Sequence, residues 1–135
     1  MNKKLVILIL LLNSCIAEKQ ISETGVNEIQ FGNGGGFAGK EVGFTLGQDG
    51  LIKNQNDSIV NKIDKKVVLS IFKTASKNKN VEFLKPQNLY SFLTIISPSS
   101  PNKIIWGRET NTVSKDIRDL HKKLMNKAIQ KNEDN

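Results

Sequence analysis

Cys15 and His121 are the only cysteine and the only histidine of the chain, so thiol and imidazole chemistry each rest on a single residue. Nucleophilic and acid-base catalysis use such groups in pairs or triads, and a metal needs several His, Cys, Asp or Glu at ligand spacing. No such cluster is present. Asp116 and Asp119 stand three residues apart where the first turn of a helix already favours acids, which fits capping and surface charge. His121 lies beside Lys122 and Lys123, as a solvated or boundary histidine would. The sequence therefore predicts no catalytic residue, no metal and no cofactor.

The densest local signal is Gly32-Asn33-Gly34-Gly35-Gly36-Phe37-Ala38-Gly39-Lys40. Gly34, Gly36 and Gly39 have the spacing of a dinucleotide fingerprint, and Gly34, Gly39 and Lys40 satisfy most of a phosphate-binding loop. Both loops must open a helix, whereas the residues after Lys40 alternate as a strand does. Glu41 also stands where a hydroxyl would hold magnesium, and its carboxylate repels phosphate. Nucleotide binding is thus not expected. The expected structure is a wide, glycine-bent hairpin connection with Phe37 folded back on the core.

The first residues, Met1-Asn2-Lys3-Lys4 and then an apolar run from Leu5 to Leu12, have the charged and greasy regions of an export signal. The run is too short to cross a bilayer, which takes roughly 20 apolar residues. Leu12-Asn13-Ser14-Cys15 resembles the lipobox of bacterial lipoproteins, with Leu three before the cysteine and a small residue just before it. Asn13 departs from the small residue usual two before the cysteine. The resemblance implies diacylglyceryl transfer to the Cys15 thiol, with palmitate as its acyl chain type, and cleavage before Cys15. Two acyl chains hold a protein stably where one does not, so no protein partner is needed for attachment. Ile16 is not the Asp that favours inner-membrane retention in enteric bacteria, so an outer-membrane location in the cell envelope is expected.

Cleavage leaves 135 less 14, or 121, residues, and the net charge falls from +7 to +5 as Lys3 and Lys4 leave. That is the size of one domain. Nearly all cations are lysines, with Arg108 and Arg118 the only arginines. Specific phosphate or base recognition favours the arginine fork, so the charge reads as solubility and nucleic acid is not an expected partner. With one cysteine there is no intramolecular disulfide. The chain divides into a signal peptide of residues 1–14, a lipidated cysteine and flexible polar spacer over 15–26, a single domain over 27–131 and a frayed tail over 132–135.

The elements that must position these residues follow from periodicity. Asn27 to Phe31, Val42 to Leu46 and Leu51 to Lys53 alternate as strands, with Gln48-Asp49-Gly50 as a turn between the last two. Val67, Val68, Ile71, Phe72 and Ala75 recur at helical spacing behind the N-cap residue Asp64. Leu89 to Ile96 reads as a central strand and Lys103 to Gly107 as its hairpin partner. Ser114 caps a last helix whose buried stripe holds Ile117, Leu120, Leu124, Ala128 and Ile129. The predicted fold is α+β, an antiparallel sheet of four to five strands with two helices on one face, in the order βββ-α-ββ-α.

Phe31 to Gly39, with Asp49-Gly50 and Ile105-Trp106-Gly107 downstream, resembles a group of small flavobacterial lipoproteins without an assigned activity. Gly35-Gly36-Phe37-Ala38, the helix from Asp64, the strand at Tyr90-Ser91-Phe92 and the final helix also resemble the emfourin inhibitors of thermolysin-like metalloproteases. The second resemblance marks Gly34, Gly35, Gly36 and Phe37 as a candidate contact loop, because glycines let backbone approach a partner closely. The expected function is a membrane-anchored envelope protein acting by contact with another protein, protease inhibition being one form of it. The alternative is a carrier or sensor of a small ligand, with an apolar groove lined by Phe37, Tyr90 and Trp106.

Overall fold

The computed structural model describes residues 15–107 and 113–130; the expected signal peptide, 1–14, and the expected frayed tail, 132–135, lie outside them. Among the described residues the fold is α+β: a seven-stranded mixed sheet with three helices. Helix α1 covers residues 15–23. Strands β1 (Glu28–Gly35), β2 (Val42–Gly47), β3 (Leu51–Asn54) and β4 (Ile59–Lys62) form a meander, and α2 (Lys65–Asn78) follows. The chain then runs through β5 (Phe83–Lys85), β6 (Leu89–Ile96) and β7 (Pro101–Gly107) to α3 (Lys115–Ile129). The order across the sheet is β4-β3-β2-β1-β6-β7-β5, and every pairing is antiparallel except β5 with β7.

The sequence expectation of an α+β domain holds, and its finer form does not. Four to five antiparallel strands become seven in a mixed sheet, and two helices become three. β1 also continues past Phe31 through the glycines to Gly35, because Gly34 and Gly35 pair with Tyr90 and Leu89 of β6. The glycines are therefore strand, and the turn after them is short. Residues 15–23, expected within a flexible spacer, are helical, and Ile21 and Val26 are fully buried in the main core.

Alternation sorts the side chains by face. Ile29, Phe31, Leu46, Ile52, Leu93, Ile95, Ile104 and Trp106 point to the side where the helices contribute Val68, Ile71, Phe72, Ile117, Leu120 and Leu124. These make one contiguous core. Gln30, Thr45, Lys53, Thr94 and Lys103 sit at the intervening positions, on the face that carries no helix. Both helix starts are capped as expected: Asp64 accepts from the Lys66 amide and Ser114 from the Ile117 amide.

Hydrogen bonds fix where the helices lie. Thr24, just past α1, offers its carbonyl to Ser76 Oγ near the end of α2 at 2.7 Å, while Glu18 of α1 pairs with Lys65 at the start of α2. The two helices therefore run antiparallel across the end of the sheet where β1 begins. Asn61 of β4 donates to the Lys127 carbonyl in the last turn of α3 at 2.7 Å, and His121 of α3 reaches the Gly32 carbonyl of β1 at 2.8 Å. α3 thus crosses the sheet obliquely, from the end of β7 to β4.

Candidate functional site

Cys15 is exposed at the first described residue of α1, so its thiol is accessible to a modifying enzyme. Three residues on, Glu18 is tied to Lys65, and Ile21 is buried at 1 % exposure. Cys15 consequently sits on a docked helix, close to the end of the sheet where β1 starts.

The glycine-rich segment lies at the opposite end of β1. Eight strand residues at about 3.3 Å each separate the two ends by roughly 25 Å. Gly36 and Gly39 take φ of 79° and 58°, which favour glycine, and the Gly39 amide donates to the Gly36 carbonyl at 3.0 Å. The Gly36 amide in turn donates to the Asn88 carbonyl at 2.7 Å, tying the turn to the chain entering β6. Phe37 stands at the tip, fully exposed, at 112 % of its reference area. The expectation that Phe37 folds back on the core is corrected: the short turn, tied to Asn88, leaves its side chain in solvent. Leu89, set against Gly36, and Val42, paired with Asn33, are further exposed apolar residues at this end.

On the helix-free face a second group forms that sequence reading missed. A Cβ on Gly32 or Gly43 would come within 3.0 Å of the Phe92 ring, so Phe92 lies in the space those glycines leave, at 6 % exposure. Gly34 likewise makes room for Tyr90, whose hydroxyl donates to Glu41 Oε2 at 3.2 Å. Lys103 pairs with Glu41 at 3.3 Å and stacks over Phe92, 5.0 Å from its centroid. Burial, followed by the Glu41 charge and hydrogen bond, holds the Tyr90 phenol above its ordinary pKa. The signal that could have found this group was glycine at alternating positions inside a strand, which marks a close neighbour above.

Tyr90 and Trp106 do not share a groove. Trp106 is opposite Ser91, whereas Tyr90 is opposite Gly107, one residue out of phase and therefore on the other face. Trp106 is buried under α3, edge-on to His121 at 5.2 Å between centroids. His121, expected at a solvated boundary, is buried at 8 % exposure. Its Nε2 faces a carbonyl, so it must carry the proton and donate to Gly32. Phe37, Tyr90 and Trp106 occupy three separate environments, and no apolar groove unites them. Asp119 accepts from Lys115 at 2.5 Å on the α3 surface, which lowers the Asp119 pKa and raises that of Lys115.

Among the described residues no group of three or more His, Cys, Asp or Glu is placed to hold a metal, and no helix is long and apolar enough to cross a membrane. No family model, no curated protein and no solved structure matches the chain.

Proposed function

We propose that this protein is a lipid-anchored envelope lipoprotein that acts by protein contact through the turn bearing Phe37. The observation that carries this reading is a fully exposed phenylalanine at the tip of a turn tied to the sheet. An aromatic side chain left wholly in water forgoes the burial that elsewhere stabilises the fold, about 2 kcal/mol or more for Phe. On a backbone fixed by hydrogen bonds it needs little ordering when a partner buries it. Contacts of this kind, a rigid aromatic anchor entering a pocket, dominate many interfaces.

The position of Cys15 supports the same reading. A lipid on Cys15 would hold one end of the sheet at a bilayer and leave the turn at the far end, roughly 25 Å along β1, clear of the anchor and open to a soluble or envelope partner. Inhibition of a thermolysin-like metalloprotease is the sharpest version, with Phe37 entering the cleft and the turn backbone at Gly36 beside it, Gly34 being buried within β1.

Two measurements test the two halves. In the full chain, Cys15→Ser should abolish partitioning into the detergent phase, and retained partitioning overturns the anchor. The purified domain from residue 15 onward should slow a thermolysin-like protease, with Phe37→Ala weakening the effect at least about tenfold, as loss of an interface anchor does. Absence of inhibition across several such enzymes removes the protease version.

A further inference from the structure

The positive charge of the domain is not spread over its surface. In the described residues the helices and their caps, 15–23, 64–79 and 114–130, hold eleven Lys and Arg against five Asp and Glu. The remaining described residues hold five of each. Eleven less five leaves an excess of six on the helix layer, and five less five leaves none on the rest. Three of the five acids of the helix layer are engaged locally: Glu18 with Lys65, Asp119 with Lys115, and Asp64 as the N-cap of α2, while Glu23 and Asp116 line the grooves beside Lys77.

By contrast, Lys66, Lys73 and Lys77 on α2 and Lys122 and Lys123 on α3 are exposed and join no ion pair among the described residues. Lys77 lines a groove with Glu23 of α1 on one side and another with Lys123 of α3 on the other, so the three helices make one continuous surface. Cys15 and the exposed Ile16 open that same layer.

We propose that the helix layer is the face this domain turns toward the anionic phospholipid headgroups of the bilayer that carries it. Lysines snorkel well at such a surface, their alkyl stems lying along the protein while the ammonium groups reach phosphate. Each lysine near an anionic membrane is worth roughly a fivefold change in binding. Several together strengthen the hold of the lipid and set which way the domain faces. The balanced charge of the remaining described residues, strands and loops together, gives them no comparable attraction. This inference rests on the reading of Cys15 as a lipid anchor, and it adds the orientation of the domain on the membrane.

The test uses the domain from residue 15 onward with Cys15→Ser, which holds every residue of the buried core and carries no acyl chain. Flotation is measured with vesicles of phosphatidylcholine alone and of phosphatidylcholine mixed equally with phosphatidylglycerol. The domain should float with the anionic vesicles only, and salt should release it as the screening length falls from about 10 Å at 0.1 M to about 3 Å at 1 M. Lys73→Glu with Lys77→Glu, or Lys122→Glu with Lys123→Glu, should weaken binding more than about tenfold. Lys53→Glu with Lys62→Glu, among the strands, should leave it unchanged, and circular dichroism should be the same for all. Equal flotation with both vesicles, flotation with neither, or equal loss from the strand-side variant overturns the proposal. These results do not depend on acylation, whereas failure of the anchor reading appears as detergent partitioning retained by the full chain with Cys15→Ser.

Discussion

Gly32 shows how one residue without a side chain can organise its neighbours. A Cβ there would meet the Val42 carbonyl at 2.1 Å and the Gly43 Cα at 2.8 Å, both backbone atoms of the adjoining strand. Neither can move without opening the β1–β2 pairing. Gly32→Ala should therefore cost about 3 kcal/mol of stability, the upper range for overpacking, measured by urea denaturation. Phe37→Ala should leave stability within about 0.5 kcal/mol, since an exposed side chain away from packing contributes little. The two substitutions lie five residues apart in one motif, and opposite outcomes would separate its structural part from its contact part. Tyr90 offers a second test, because it is the only tyrosine and its titration can be followed alone by ultraviolet absorbance. Its pKa should lie above the ordinary value near 10, and Glu41→Gln should bring it down by removing the adjacent charge. The sign follows from linkage: a raised folded pKa stabilises the fold below the ordinary tyrosine range, and this contribution is lost as pH rises through the raised value.

Among the elements, those with a long regular pattern were legible. Val42 to Gly47 alternates, Asp64 and Ser114 cap their helices, and the stripes of both helices reach the core except at Ile129, expected within the last stripe but 67 % exposed at the helix end. The missed elements lack such patterns. β4 has four residues, and a polar one, Asn61, points to the core side opposite Ile52. β5 has three, and its parallel pairing with β7 leaves no turn signal nearby. The groove expected at Tyr90 and Trp106 failed for a related reason. Residue types nominate aromatic side chains, but only the register, with Ser91 opposite Trp106, decides which face each takes. Asn61 also explains how a short edge strand earns a place in the sheet. Its amide donates to the Lys127 carbonyl, one of the acceptors a helix leaves unsatisfied at its C-terminus. Asn61→Leu would leave that carbonyl without its partner, and we expect a loss of about 1 to 2 kcal/mol. Hydrogen exchange should then rise in β4 and the last turn of α3 before the rest of the sheet; uniform acceleration would mean that the bond does not join those two elements in particular.

For the whole molecule, the decisive feature is how its first described residues meet the core. Polar composition made residues 16–26 look like a tether, since a single buried apolar residue, Ile21, among mostly polar neighbours leaves almost no periodic trace. Burial shows a seat instead. Ile21 is 1 % exposed and Val26 fully buried, Thr24 Oγ1 closes the end of α1 on the Ile21 carbonyl at 2.6 Å, and Ser76 holds the Thr24 carbonyl from α2. A domain joined this way cannot swing freely about Cys15, so a surface bound to Cys15 would see the helix layer and the far turn at fixed attitudes. Ile21→Ala tests the seat. Removing a fully buried isoleucine should cost about 3 kcal/mol, read from the urea midpoint at unchanged slope, whereas Ile16→Ala, at 57 % exposure, should cost under about 0.5 kcal/mol. If residues 15–23 were only a tether, both substitutions would be silent and amides in that segment would exchange at the rate of an unfolded chain. If they form a seat, those amides should be protected, and Ile21→Ala should release α1 first, because it removes the one α1 side chain buried in the core and leaves the sheet pairings intact.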